Sequence, residues 1–189
     1  MNVAFNNYVD EFETYIEKVL FDADYKVTEK EIKLVLQTSP KNALNKYVSV
    51  NDRRNTGVYF TGQDLAQKAL KGIVKELDIS SVFFDPTCGA GDLLLQCAQL
   101  LPVSSTFEKT VSLWGKQLMG LDLRPEFVRL AKLRLLLVAY LKHKNKINSK
   151  RSLASIMDFP LISVGNCYDY PDLIKKASVI VSNPPYNLI

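Results

Sequence analysis

The hydrophobic positions of the chain alternate between helical spacing and short continuous runs. Apolar residues recur every three or four positions in several stretches, which predicts amphipathic helices there. The predicted helices are residues 6–21, 29–37, 63–77, 92–101 and 126–142. The second begins with Thr28 and Glu31 in the order of a capping box, and the last has Pro125 in its first turn. The residues of the helix 63–77 that we expect to face the core are Leu65, Ala66, Ala69, Leu70, Ile73, Val74 and Leu77.

Short apolar runs between these helices predict β-strands. The predicted strands lie near residues 82–85, 117–123, 161–164 and 177–182, and Val58–Thr61 is a further short β-like piece. The predicted irregular segments are a polar turn at 51–57, a Ser/Thr-rich connection at 102–112 and a basic, mobile loop at 142–151. Strands that alternate with helices predict an α/β fold with a mostly parallel sheet and right-handed crossovers.

A polar side chain follows each of the four predicted strands of the sheet. These side chains are Asp85, Asp122, Asn166 and Asn183. Ligands of parallel sheets bind at the carboxyl ends of the strands, so the four residues are predicted to line a ligand site. Gly89 and Gly91, in the loop after Asp85, allow a sharp turn and the close approach of a ligand to the helix N-terminus that follows. The loop alone is also compatible with an ordinary strand-to-helix turn.

Composition narrows the class of protein. At 189 residues, 47% of them hydrophobic, the chain is long enough for one packed domain, with or without a small appendage. It has no apolar run long enough to cross a bilayer and no N-terminal signal peptide, so we expect no membrane association. Three cysteines without metal-binding spacing predict reduced thiols and a cytoplasmic location. Residues 1–31 hold eight acids and three bases, which leaves the remainder basic and compatible with a polyanionic partner.

The segment Asn183–Tyr186, Asn-Pro-Pro-Tyr, suits chemistry on a planar amine. The exocyclic amine of adenine is a weak nucleophile because its lone pair is delocalised into the ring, and its methylation requires a change toward tetrahedral geometry. Two acceptors aimed at its hydrogens would favour that change. The Asn183 side chain and the Pro184 backbone carbonyl supply them, and Tyr186 offers an aromatic face for a base taken out of its stack. A proline-rich turn without a chemical role is the alternative.

Together these stretches resemble the N-terminal half of the catalytic domain of adenine-specific, amino-methylating DNA methyltransferases of restriction–modification systems. The resemblance spans about residues 55–186 and rests on Gly57–Thr61, Asp85–Gly91, Asp122 and Asn183–Tyr186, in this order. It implies a Rossmann-like fold that depends on S-adenosylmethionine. The implied organisation is a small N-terminal helical segment over residues 1–50 and a partial catalytic domain over residues 51–189.

The resemblance also implies roles for single residues. Thr61 would contact the methionine carboxylate of S-adenosylmethionine, Asp85 its ammonium group and Asp122 its ribose hydroxyls. Asn166 stands where the family usually has an acid that contacts the adenine, and Gly62 stands where the family often has proline. Further residues expected to line the cofactor are Tyr59, Thr87, Cys88, Gly89, Gly91, Leu123 and Cys167. The implied catalytic motif is Asn183, Pro184, Pro185 and Tyr186.

The function implied by the resemblance is methyl transfer from S-adenosylmethionine to the exocyclic amine of adenine in double-stranded DNA. A restriction or specificity subunit is the implied partner. The family fold continues with further strands and a DNA-recognition region, so we expect this chain to be an inactive fragment that is truncated after the fourth strand. Two alternatives stay open: a methyltransferase that acts on a protein glutamine or an RNA base, and a domain that binds cofactor or a partner without turnover.

Overall fold

The computed structural model describes residues 3–56, 61–71, 77–143 and 151–184. Within these ranges the helices are α1 (Val3–Phe21), α2 (Glu29–Tyr47), α3 (Val50–Thr56), α4 (Gln63–Leu70), α5 (Asp92–Leu100), α6 (Phe107–Gln117), α7 (Pro125–His143), α8 (Leu153–Ile156) and α9 (Pro171–Lys176). The strands are β1 (Phe83–Asp85), β2 (Leu118–Asp122), β3 (Ile162–Val164) and β4 (Val179–Ile180).

The four strands form one sheet in the order β3-β2-β1-β4, and every described pair is parallel. In the register of the sheet, Phe83 lies beside Leu118 on one side and Val179 on the other, and Gly120 lies beside Ile162. All four strands were expected from their apolar runs. A parallel sheet with helices between its strands confirms the predicted α/β fold class.

The side chains of neighbouring strand residues enter two separate apolar clusters. Phe83 and Leu118 belong to the larger cluster, whereas Phe84, Met119 and Leu121 belong to the smaller one, because successive side chains in a strand point to opposite faces. Helices α5 and α7 pack against the sheet. Helices α1 and α2 also pack on α7, so α7 is buried on most sides. The N-terminal helices therefore contribute to the larger core.

The N-terminal end of α2 has the predicted capping box. The Thr28 hydroxyl accepts from the Glu31 backbone N–H at 3.2 Å, and the Glu31 carboxylate accepts from the Thr28 N–H at 2.7 Å. The helix does not end near residue 37, as its apolar pattern indicated, but continues past Pro40 to Tyr47. Buried Ala43 and Leu44 extend its core-facing side, which explains the greater length.

The prediction of a polar turn at 51–57 is wrong for the residues that the structure describes there, because Val50–Thr56 form helix α3. The Ser49 hydroxyl accepts from the Asp52 backbone N–H at 3.1 Å and donates to the Asp52 carboxylate at 2.7 Å. A serine that satisfies a free N–H group at a helix start stabilises a helix that polar composition alone does not suggest.

The prediction of an irregular connection over residues 102–112 is confirmed for 102–106 but wrong for 107–112, because α6 begins at Phe107. Thr106 caps this helix by accepting from the Lys109 N–H at 3.3 Å. Phe107, Val111 and Trp114 are buried at helical spacing. The hydroxyl residues of this segment therefore mark a helix start. Gln117, expected in the second strand, is the last residue of α6.

The core-facing side of α4 is narrower than expected. Ala66 and Leu70 are buried, but Leu65 is 57% exposed and Ala69 is also exposed, because only positions four residues apart meet the neighbouring helix. Leu77 packs against the core as predicted. Ile73 and Val74 lie outside the described residues, as does the predicted β-like piece except for Thr61.

The prediction of a basic loop over 142–151 is wrong for its first two residues. Lys142 and His143 form the last turn of α7, and the His143 ring lies 2.8 Å from the Thr110 hydroxyl. Residues 144–150 lie outside the described residues.

Cys88, Cys97 and Cys167 are free thiols, as predicted. Among the helices of the described ranges, none combines the length and the apolar character that crossing a membrane requires.

Candidate active site

The carboxyl ends of the four parallel strands lie at one edge of the sheet. Asp85 and Asp122 are the last residues of β1 and β2. Asn166 follows β3 by two residues, and Asn183 follows β4 by three. The structure thus places all four predicted strand-end residues at the edge where parallel sheets bind ligands.

The loop between β1 and α5 depends on two glycines. Gly89 and Gly91 have φ angles of 51° and 84°, in the left-handed region that favours glycine. A Cβ atom on Gly91 would lie 2.9 Å from the Cβ of Ala131 on α7. The loop also crosses the end of β2, since the Cys88 N–H donates to the Leu121 carbonyl at 2.8 Å. These contacts leave the loop backbone close to both acids of the site.

Asp122 holds the glycine loop against the end of β2. One carboxylate oxygen accepts from the Gly89 N–H and the other from the Arg124 N–H, each at 2.9 Å. Burial raises the pKa of Asp122 above its ordinary value, although these two hydrogen bonds oppose the shift. Each carboxylate oxygen has more than one acceptor position, so both can still accept from ligand hydroxyls. Leu123 beside it is 70% exposed and offers an apolar surface.

Asp85 is an almost fully enclosed acid, with 2% of its surface exposed. Its carboxylate accepts from the Thr87 backbone N–H at 3.1 Å. Burial raises the pKa of Asp85 to about 7, and the nearby charges of Asp122 and Asp92 act in the same direction. A cation beside Asp85 would favour its charged form, so the group is suited to an ammonium ligand.

A hydrogen bond joins the Thr61 segment to the segment after β4. The Asn183 side-chain nitrogen donates to the Thr61 hydroxyl at 3.2 Å. Ser182, the residue before Asn183, has its hydroxyl 3.2 Å from the hydroxyl of Thr87. The residue expected to contact the cofactor and the residue expected to contact the target base are therefore direct neighbours. Ser182 was not identified from the sequence.

Asn166 has a local structural role after β3. It is exposed, and its side-chain oxygen accepts from the Tyr168 N–H at 3.2 Å, which caps a 3-10 turn over Cys167–Asp169. Cys167 is half-buried. One acceptor position of the Asn166 oxygen remains for an adenine amine.

Two further residues of the site, Asp92 and Arg134, were missed from the sequence. The Asp92 carboxylate accepts from the Gly62 N–H at 2.8 Å and pairs with the Arg134 guanidinium at 2.8 Å. Both side chains are buried. Two features of the sequence could have identified these residues: an acid directly after the Gly-x-Gly loop and a lone arginine within a run of leucines.

Tyr59, Pro185 and Tyr186 lie outside the described residues, so their predicted roles stay predictions. Pro184 is exposed directly after Asn183. In the part of the chain that the structure describes, no group of histidine, cysteine and acidic residues is arranged to hold a metal ion. The described groups at this edge of the sheet include carboxylates, hydroxyls, two side-chain amides and glycine backbone.

Comparison with known proteins gives one match. A family model described as N-6 DNA Methylase matches residues 42–189, which is more than half of the chain and includes every predicted site residue. No curated protein and no solved structure matches the chain.

Proposed function

Because the chain belongs to the N-6 DNA methylase family, a family of DNA methyltransferases, we propose that it methylates the exocyclic amine of adenine in double-stranded DNA. S-adenosylmethionine is the proposed methyl donor. The observation that carries the proposal is the hydrogen bond between Asn183 and Thr61 at the sheet edge that also carries Asp85 and Asp122. It puts a group suited to a planar amine next to a group suited to the cofactor.

The described residues fit S-adenosylmethionine. Asp122 retains acceptor positions for two ribose hydroxyls, and buried Asp85 is suited to the ammonium group of the methionine part. Gly91 lies so close to Ala131 that no side chain fits there, so glycine allows the loop to pack directly on α7. Thr61 would contact the methionine carboxylate and Asn166 the adenine. Thr87, Cys88, Gly89, Leu123 and Cys167 complete the proposed lining.

The Asn183 amide has a defined orientation for its proposed role. Its nitrogen donates to Thr61, so its oxygen is the atom left to accept a hydrogen from the target amine. The Pro184 carbonyl would accept the second hydrogen. Bound S-adenosylmethionine supplies the electrophilic methyl group. As the amine becomes tetrahedral its hydrogens gain positive charge, so both hydrogen bonds would strengthen toward the transition state.

The same contacts are compatible with a protein glutamine or an RNA base as acceptor, but the family match favours DNA. Tyr186 would stack on an adenine extruded from the duplex. A restriction or specificity subunit and a restriction–modification setting belong to this proposal on the basis of sequence resemblance.

The identity of the methylated base tests the proposed function. The complete protein is incubated with duplex DNA and methyl-labelled S-adenosylmethionine, and the DNA is digested to nucleosides and separated by mass. We expect the label on the adenine amine. Label on the cytosine amine, or on RNA or protein offered in place of DNA but not on DNA, would contradict the proposal.

A further inference from the structure

Pro40 lies inside α2 and leaves one backbone carbonyl of that helix without its usual partner. In an α-helix the carbonyl of residue 36 accepts from the N–H of residue 40, but proline has no N–H group. The Leu36 carbonyl accepts instead from the Arg134 guanidinium on α7, at 2.7 Å. A proline in α2 thus creates a buried acceptor for an arginine of another helix.

Arg134 connects this acceptor to the glycine loop. Its side chain is 1% exposed. Its second terminal nitrogen donates to the Ala90 carbonyl at 2.6 Å and pairs with the Asp92 carboxylate at 2.8 Å. Ala90 stands between the two glycines of the loop, and Asp92 is the first residue of α5. The planar fork of the guanidinium allows it to reach all three oxygens at once.

Asp92 extends the connection to the residues proposed to act in methyl transfer. Its other carboxylate oxygen accepts from the Gly62 N–H at 2.8 Å. Gly62 directly follows Thr61, whose hydroxyl accepts from Asn183 at 3.2 Å. We call this set the α2 relay: Leu36, Arg134, Asp92, Gly62, Thr61 and Asn183. It joins five separate segments of the chain by hydrogen bonds.

A contribution to stability alone does not account for the charged pair in the relay. Burying an arginine and an aspartate costs free energy that their attraction often fails to repay, and apolar side chains of similar volume stabilise a core equally well. What the pair adds is a fixed geometry between Ala90, Gly62 and α2. The family model begins at residue 42, so Leu36 and Pro40 lie outside the matched range.

We propose that α2 is a positioning element of the active site, which sets the Thr61–Gly62 segment against the glycine loop through Arg134 and Asp92. The proposal rests on the proposed function, because the step that it affects is the binding of S-adenosylmethionine by these two segments. Arg134, Asp92 and Pro40 touch neither cofactor nor target base in this account. They act through Ala90, Gly62 and the Leu36 carbonyl.

The first test compares the same substitution at two arginines of α7. Arg134→Lys keeps the charge beside Asp92 but loses the fork, whereas Arg129→Lys alters a half-exposed arginine that pairs with Asp10 and Glu13 of α1. We expect Arg134→Lys to weaken S-adenosylmethionine binding by about tenfold or more in calorimetric titration of the complete protein, as loss of a supporting contact does. Arg129→Lys should bind as the wild type does.

Pro40→Ala separates positioning from stability. Alanine supplies the missing N–H, which competes with Arg134 for the Leu36 carbonyl and favours the helix itself. We expect a melting temperature equal to or above that of the wild type together with weaker cofactor binding. A purely structural role would not give weaker binding in a protein of undiminished stability.

Hydrogen exchange of the Gly62 amide, followed by NMR without cofactor, provides an independent readout. In the Arg134→Lys and Pro40→Ala variants, the Gly62 amide should exchange faster than it does in the wild type and in Arg129→Lys. The inference would be overturned if both variants bound S-adenosylmethionine with wild-type affinity and exchanged the Gly62 amide at the wild-type rate. If Arg134→Lys fails to fold, the result for Pro40→Ala decides alone. Absence of S-adenosylmethionine binding by the wild type would instead refute the proposed function.

Discussion

Burial of Asp85 at the edge of the sheet affects the stability of the chain. The carboxyl group is enclosed by protein at the end of β1, and burial raises its pKa from 3.8 to about 7. Its charged form is therefore less favourable in the folded chain than in the unfolded chain. An ammonium group of a bound ligand would relieve this, so part of the free energy of binding is available only when the ligand carries a positive charge.

The pH dependence of stability tests this view of Asp85. The pKa of Asp85 is higher in the folded chain than in the unfolded chain. The stability that its protonated form contributes is therefore fully present below about pH 4 and is lost as the pH rises through about 7. The wild type should lose up to roughly 4 kcal/mol relative to Asp85→Asn over this range, at about 1.36 kcal/mol per pKa unit. Urea unfolding at several pH values measures the difference.

The matched control for that experiment is Asp172→Asn, at an exposed acid of α9. This variant should not reproduce the pH-dependent difference from the wild type that Asp85→Asn shows. A difference between wild type and Asp85→Asn that does not change between pH 4 and pH 7 would show that Asp85 is charged in the folded chain throughout.

At the level of secondary structure, two helices that border the site begin at glycines with left-handed backbone angles. Gly62 precedes α4 with a φ of 72°, and Gly91 precedes α5 with a φ of 84°. Their surroundings differ. Among the described residues, a Cβ atom on Gly62 would have no neighbour within 4 Å, whereas one on Gly91 would meet Ala131 at 2.9 Å. Both positions therefore have a positive φ, but a side chain would clash with a neighbouring helix at Gly91.

We predict that Gly91→Ala is more destabilising than Gly62→Ala. Both variants carry the cost of a positive φ at a residue with a side chain, about 1–3 kcal/mol. Gly91→Ala also pushes α5 away from α7, which adds about 1–3 kcal/mol for overpacking. Urea unfolding of the two variants measures the difference, and equal losses of unfolding free energy would contradict the close contact between the glycine loop and α7.

The sequence predicted those elements whose local signals agree with their tertiary environment. The strands appear as apolar runs followed by polar residues, and α1, α5 and α7 appear as helical stripes near their observed bounds. Helices α3 and α6 were missed because residues 51–57 were taken as a polar turn and residues 102–112 as a Ser/Thr-rich connection. Ser49 and Thr106, however, each cap a helix. A hydroxyl residue favours loops and helix starts alike, so composition alone does not distinguish them.

For the molecule as a whole, the edge of the sheet could be predicted but the contacts across it could not. Parallel strands place Asp85, Asp122, Asn166 and Asn183 at one edge by topology alone. The bond between Asn183 and Thr61 joins residues that are 122 positions apart, and no local pattern encodes it. Arg134 likewise appears in the sequence as an irregularity in an apolar helix, and only packing shows its three oxygen partners.

The N-terminal helices and the strand-end site form a single packed arrangement within the described residues. Helices α1 and α2 cover α7, and α7 in turn carries Arg134 and the Ala131 contact of the glycine loop. Buried contacts therefore connect α2 to the glycine loop through Arg134. This arrangement links residues outside the family-matched range to the proposed site.

The most direct test of the central claim is the effect of Asn183→Ala on methyl transfer and on cofactor binding, measured separately in the complete protein. Single-turnover transfer of labelled methyl to duplex DNA should fall about a hundredfold or more, because the lost hydrogen bond acts mainly in the transition state. Affinity for S-adenosylmethionine should stay within about fivefold, the scale of one neutral hydrogen bond. The control Asn7→Ala, at an exposed position of α1, should change neither. Near-normal transfer by Asn183→Ala would contradict the account.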